Sequence, residues 1–374
     1  MGGLLISSAM MKWTARRTPL TLLLLLLLSV IACAELRVAT DGRPGSDPSN
    51  EEEDDDEDAG ARTDALALPD VRVSDAKSDG TKPKPVCDGP CPPEVIVDGL
   101  SQATALTVDA TNVYFAIESG NGTVYQCPKA GCGGAPIELG PGYATSIVVA
   151  GGIVYWGDFA GGKLQGCAVG GCGKLPSAVV SNQTQIKGAV SDGVDLFWGS
   201  ASGLIRRCPL ATCSTATAET IATNQGFIRS LAADQGKVVW PNATTSTVYA
   251  CAAGPCANPT ALGPGSHGVS VHAGKAYWVN GKSKTVVSCS TGGCGGSPLT
   301  IGSSMAPNHP VSDGTHVYWR DEFLDEIYRC PASGCSPGPE TIATDQRGQP
   351  GGQIALDGEY VYWTTTKGVY RLPK

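Results

Sequence analysis

Cysteine is the residue type whose spacing in this chain first points to chemistry. Of its fifteen cysteines, fourteen fall into close pairs: Cys87 with Cys91, Cys127 with Cys132, Cys167 with Cys172, Cys208 with Cys213, Cys251 with Cys256, Cys289 with Cys294 and Cys330 with Cys335. Each pair flanks a short turn rich in Gly, Pro or Ala, such as Cys127-Pro128-Lys129-Ala130-Gly131-Cys132. A turn of this length brings two Cα atoms within bridging distance, so nearest-neighbour disulfides are expected. A metal site would need two-residue spacing or interleaved His ligands, and haem attachment would need Cys-x-x-Cys-His; neither pattern occurs. Loops this small contribute about 2 kcal/mol per bridge on the chain-entropy model. The bridges also imply an oxidising compartment.

Motifs of catalysis are missing: there is no Gly-x-Ser-x-Gly elbow, no His-Glu-x-x-His and no phosphate-binding Walker loop. No metal and no cofactor is expected. Glycine runs such as Gly292-Gly293-Cys294-Gly295-Gly296 flank cysteines and are read as backbone freedom in turns. Candidate binding groups emerge only when the repeating elements that would carry them are laid out.

Those elements follow from one recurring triplet. Val154-Tyr155-Trp156 has counterparts ending at Phe115, Trp198, Trp240, Trp278, Trp319 and Trp363, spaced by 41, 42, 42, 38, 41 and 44 residues. A period of that size indicates stacked or radial units. Within one unit, residues 144–149, 153–156, 163–167 and 177–180 read as four short strands separated by turn residues. Four-stranded units of this length predict an all-β fold, a seven-bladed β-propeller. Six residues before the aromatic mark stands an Asp in five copies (Asp109, Asp192, Asp234, Asp313 and Asp357), which is expected to cap its own turn. The last copy ends without a cysteine pair or a fourth strand, whereas residues 94–97 precede the first mark as an unattached strand. The N-terminal strand is therefore expected to complete the C-terminal blade and leave no open edge.

The remainder of the chain divides into two segments. Residues 1–33 combine Lys12, Arg16 and Arg17, an apolar run from Leu20 to Ile31, and Val30-Ile31-Ala32-Cys33. The run is short for a bilayer span and reads as a signal peptide, and the last four residues resemble the bacterial lipobox. That resemblance implies lipidation at Cys33 and an exported protein anchored in the bacterial envelope, at the outer membrane or cell surface. Residues 34–86 carry eight consecutive acids from Glu51 to Asp58 and scattered prolines, a composition expected to remain a disordered linker. From Cys87 onward, 20 acidic residues face 17 basic ones, so the domain 87–374 is nearly neutral and offers no footprint for nucleic acid.

Tyr155-Trp156-Gly157-Asp158 and Tyr318-Trp319-Arg320-Asp321 resemble the YWTD repeat of low-density-lipoprotein-receptor-type propellers, and Tyr362-Trp363-Thr364-Thr365 comes close. The chain departs from that pattern in lacking most of the final aspartates, in having seven copies rather than six, and in its cysteine pairs. It is more similar to secreted bacterial lipoproteins with DGxxVYW and cysteine-pair repeats, a resemblance that implies a fold and a location but no reaction.

On the usual propeller path, positions ten and eleven before the aromatic mark line the channel mouth, opposite the Asp and disulfide turns. Those positions include Lys187, Arg229, His267, Asn308, His309 and Gln353, and loops after the mark add Glu118, Asp158, Lys282, Lys284, Arg320, Asp321 and Glu322. Convergent polar groups at a concave mouth form a binding site. Lys187, Arg229, His267 and His309 are expected to attract a carboxylate-bearing glycan or peptide end, more strongly as the histidines protonate below about pH 6.5. The expected function is a tethered, monomeric binding or scaffold module for a protein, peptide or glycan. The alternative is a channel-site enzyme of lactonase, sugar-dehydrogenase or lyase type.

Overall fold

The computed structural model describes residues 92–347 and 352–374. The signal peptide, the lipobox with Cys33, the acidic linker, and the expected bridge of Cys87 with Cys91 lie outside the described residues. Seven antiparallel sheets of four strands follow one another along the chain. Blades one to six comprise residues 103–141, 144–180, 186–222, 232–264, 267–303 and 307–343. Blade seven combines residues 354–373 with the strand Glu94–Asp98. The expected all-β, seven-bladed propeller is thus the observed fold.

Strand alternation explains why the aromatic triplet recurs. Successive side chains on the second strand of a blade point to opposite faces. The third residue of each triplet accordingly packs toward the preceding blade and the second toward the following one. Trp156 lies in a cluster with Tyr114, Val124 and Leu139 of blade one, while Tyr155 joins Ala189, Leu196 and Trp198 of blade three. The same handover runs Phe197 to Trp240, Val239 to Trp278, Tyr277 to Trp319, Tyr318 to Trp363 and Tyr362 to Phe115. The six Trp residues of the triplets are almost wholly buried. Several indoles also donate to the chain leaving the previous blade, as Trp278 Nε1 does to the Pro264 carbonyl at 2.9 Å and Trp363 Nε1 to Gln346 Oε1 at 2.9 Å.

The N-terminal strand closes the ring as expected. Glu94–Asp98 pairs antiparallel with Gly368–Pro373, and an irregularity between Val95 and Val97 lets both Ile96 and Val97 face the interior. They pack with Tyr362 and Val369 against Leu106 and Phe115 of blade one. Burial of two such side chains is worth about 1.5–3 kcal/mol each. Polar contacts seal the same seam: Arg371 Nε donates to Glu94 Oε2 at 2.8 Å, and its Nη1 donates to the Lys129 carbonyl at 3.0 Å.

Six cysteine pairs are bridged among the described residues, each between nearest neighbours as expected. Cys127 joins Cys132, Cys167 joins Cys172 and Cys208 joins Cys213 in the first three blades. Cys251 joins Cys256, Cys289 joins Cys294 and Cys330 joins Cys335 in the next three. Their Cα separations run from 5.1 to 6.3 Å. The turns they close also lean on the preceding blade: Cys256 N donates to the Ile221 carbonyl and Cys335 N to the Ile301 carbonyl. Asp109, Asp192, Asp313 and Asp357 each accept two backbone N–H bonds from their own turns. Asp234 differs from that expectation and accepts from Gly274 N of the next blade. Its turn is a two-residue hairpin, Gln235-Gly236, with both φ values positive, and such a turn closes without a side-chain cap.

Candidate functional site

The innermost strands carry a repeated irregularity that shapes the site. Ladder register shifts between Ala103 and Leu106, Ala144 and Ile147, Ile186 and Gly188, His267 and Val269, and Asn308 and Val311. A bulge bends its strand and re-aims side chains. These bulges fall at positions ten and eleven before the aromatic mark, and so turn Thr104, Thr145, Ser146, Lys187, Gly188, Gly268 and His309 toward the axis. His309 adopts a φ of 45° to do so.

The result is one cavity of about 560 Å³ at the end of the ring away from the disulfide turns, with every innermost segment contributing to its wall. Lys187, Arg229, His267, Asn308, His309 and Gln353 all line it. Hydrogen bonds between blades hold its floor. Gln353 Oε1 accepts from Leu106 N at 3.1 Å while its Nε2 donates to the Thr145 carbonyl at 3.1 Å, joining blades seven, one and two. Thr145 Oγ1 donates to the Lys187 carbonyl at 2.6 Å, and Ala189 N donates to Ser146 Oγ at 2.6 Å. Thr104 is buried in the same wall, and its hydroxyl has no partner among the described residues.

Several expected residues lie elsewhere. Asp158 Oδ1 accepts from Gly161 N at 3.0 Å, and the fully buried Asp321 accepts from Phe323 N, Leu324 N and Ala306 N. Both cap the hairpin after the second strand, the same service Asn242 performs in blade four. Arg320 follows Trp319 and therefore faces blade seven rather than the axis. Its Nη1 donates to the Thr364 carbonyl at 3.2 Å and its Nη2 to the Gln346 carbonyl at 2.9 Å. Sequence position alone assigns these residues to the mouth loops; hairpin capping then occupies the two aspartates, and strand alternation sends Arg320 between blades.

Other residues complete the lining. Glu118 and Glu322, one position beyond the strand ends, turn inward, and Phe227 stands at the rim. Asn308 Nδ2 donates to Glu322 Oε1 at 2.6 Å. Glu118 and Glu322 are among the loop residues that the sequence assigns to this face, whereas Lys282 and Lys284 do not line the cavity. Their inward turn depends on where each hairpin ends.

Electrostatics separates the cationic arc into two kinds of group. Among the described residues neither Lys187 nor Arg229 has a carboxylate within 4.0 Å. Lys187 Nζ instead sits 4.2 Å from the Phe159 ring centre, and the Arg229 guanidinium 5.5 Å from that of Phe227. Burial pulls the Lys187 pKa below its ordinary value, with Glu118 opposing and Arg229 reinforcing the shift. Burial likewise lowers the pKa of His267, aided by Arg229, and takes that of His309 down to about 4 despite the opposing charge of Glu322. Both histidines therefore take up a proton at a lower pH than an ordinary imidazole, which runs against the expected gain of charge at about pH 6.5. Among the described residues no group of three or more His, Cys, Asp or Glu side chains is arranged to hold a metal ion.

No protein-family model matches the chain, and no curated protein matches it in sequence. Solved structures do. It is similar to virginiamycin B lyase from Staphylococcus aureus, with a TM-score of 0.60 and 11% identity over 76% of this chain and 98% of that one. It is also similar to a chain of Kuenenia stuttgartiensis hydrazine synthase (TM-score 0.58, 12% identity, 75% and 97% covered) and to a chain of a mitotic checkpoint complex (0.58, 16%, 81% and 99%). At such identities the likeness shows the fold alone, which is the seven-bladed propeller.

Proposed function

We propose that this chain is an exported, lipid-anchored propeller that binds a carboxylate-bearing peptide or glycan at the channel mouth. The observation that carries this reading is the presence of two cations, Lys187 and Arg229, in a single preformed cavity with no carboxylate at ion-pair distance among the described residues. A partly desolvated cation without a counter-charge at ion-pair distance is costly, and a ligand anion offsets that cost. Cys33 supplies the tether and residues 34–86 the spacer. The six disulfides fit an exported location, and among the described residues no helix is long and apolar enough to cross a membrane. Peptide and glycan arrays probed with the parent and with a Lys187→Ala/Arg229→Ala double mutant test the site. Loss of the acidic ligands in the mutant is expected, and unchanged binding removes the cavity from consideration. The Cys33→Ser protein is expected to leave the membrane fraction.

A second reading, a channel-site enzyme, is favoured by one observation. His267, His309 and Glu322 line the same cavity, and an unprotonated imidazole there can take a proton from a bound substrate. The propellers this chain resembles include a lyase as well as a subunit of a checkpoint assembly. Turnover of a lactone or glycoside screen by the parent, abolished by His309→Asn, would decide for this reading.

A further inference from the structure

The charged residues of the mouth are segregated by blade. The cations Lys187 and Arg229 come from blades three and four, and the carboxylates Glu118 and Glu322 from blades one and six. In a ring of seven, the blades opposite three and four are centred on blade seven, and blades one and six are its two neighbours. The two signs of charge therefore face each other across the axis, with the neutral Gln353 between the acids and the neutral histidines on one flank. A purely anionic ligand would satisfy one side only and would meet two carboxylates on the other.

The rim adds a third feature. Phe227 is 37% exposed at the cavity edge, and Met305, Phe323 and Leu324 are 48%, 70% and 42% exposed on adjoining loops. Those loops are built into the site. Buried Asp321 accepts from Ala306 N, next to Met305, and from Phe323 N and Leu324 N, while Glu322 between them lines the cavity. One turn thus points its carboxylate inward and presents its apolar pair outward. Met305, Phe323 and Leu324 thus form an exposed apolar group on the loops of blade six, and Phe227 stands at the cavity edge before blade four.

We infer that the mouth takes a short peptide with both ends free, its carboxylate on Lys187 and Arg229, its ammonium toward Glu118 and Glu322, and an apolar side chain on the Phe227–Met305–Phe323 rim. This rests on the proposed carboxylate-binding reading and adds the ammonium and apolar contacts to it. The cavity volume suits a small ligand of this kind, within the roughly 300–1,000 Å³ typical of such sites. Charge of both signs also disfavours singly charged competitors, since an anion meets the carboxylates on one side and a cation meets Lys187 and Arg229 on the other.

The test uses the full chain in detergent and ligand-observed NMR with the tripeptide Ala-Leu-Phe at about 1 mM, a concentration that registers weak binding. Three forms are compared: free ends, N-acetyl and C-terminal amide. The free form is expected to bind about tenfold better than either capped form, the loss of one charge-assisted contact. Glu322→Gln should erase the preference over the acetylated form, and Lys187→Ala/Arg229→Ala the preference over the amide. If the acetylated peptide binds the parent as well as the free one, the ammonium subsite is overturned while the anion site stands. If no peptide form binds but an acidic glycan does, and the double mutant loses it, the peptide assignment fails and the proposed function survives. If the double mutant binds every form like the parent, both fail together.

Discussion

His309 shows how a single residue can couple the mouth to pH. Its pKa near 4 lies below the ordinary value of 6.5, so between those values the unfolded chain binds a proton that the folded chain does not. Stability therefore falls as pH drops from about 6.5 to 4 and is insensitive to this group below that range, a loss of about 2 kcal/mol by pH 4.5. His309→Asn keeps a residue tolerant of the positive φ and removes the titration. Urea denaturation of the variant should show a gap between pH 7 and pH 4.5 smaller by about that amount; an unchanged gap would place the histidine in contact with water. Lys187 titrates with the opposite consequence. Its depressed pKa means that it loses charge earlier than an ordinary lysine, so carboxylate binding should weaken with a midpoint below 10.5. A binding curve flat up to that pH would exclude Lys187 from the contact.

Among the strands, Glu94–Asp98 has the most to hold because it carries the ring closure. Gly368, its partner across the ladder, approaches it so closely that an added Cβ would lie 1.9 Å from the Val97 carbonyl oxygen. Gly368→Ala must push the closing strand away, and a loss of about 3 kcal/mol or more is expected by denaturant unfolding. Rapid hydrogen exchange at residues 94–98 should accompany it. The turn capped by Asp357 guards the same seam from the other side. Burial alone would raise the pKa of this carboxylate, but bonds from Lys129 Nζ, the Tyr362 hydroxyl and the N–H groups of Tyr360 and Glu359 hold it at about 2. Its stabilisation is present above about pH 4 and is lost as pH falls toward 2. Asp357→Asn should cost about 2 kcal/mol at pH 7, and that deficit should vanish in acid.

In the whole molecule, closure turns a row of repeats into a cooperative unit. An open array of like units can unfold from its ends, whereas a ring has none. Deleting residues 87–98 removes the outer strand of blade seven and exposes the edge of Gly368–Pro373 together with the apolar seam to blade one. The deletion is expected to abolish the single cooperative thermal transition. A melting temperature equal to that of the parent would show that the seam contributes nothing.

The period of the aromatic triplet, the four strands per repeat, the blade count and the closing strand were all legible in the sequence, because each rests on local periodicity and on one missing strand at the C-terminus. The positions that line the mouth were legible for the same reason: they keep a constant distance from Trp156, Trp198 and their counterparts. Local pattern could not say which way a side chain turns once its strand ends. Arg320 and Asp321 sit in the right loop, yet alternation buries one against blade seven and spends the other on a hairpin cap. Glu118 and Glu322, one step farther on, turn into the cavity instead. The suppressed protonation of His309 likewise depends on groups brought from blades five and six by packing, since desolvation and nearby charge are properties of the assembled ring and not of any single repeat.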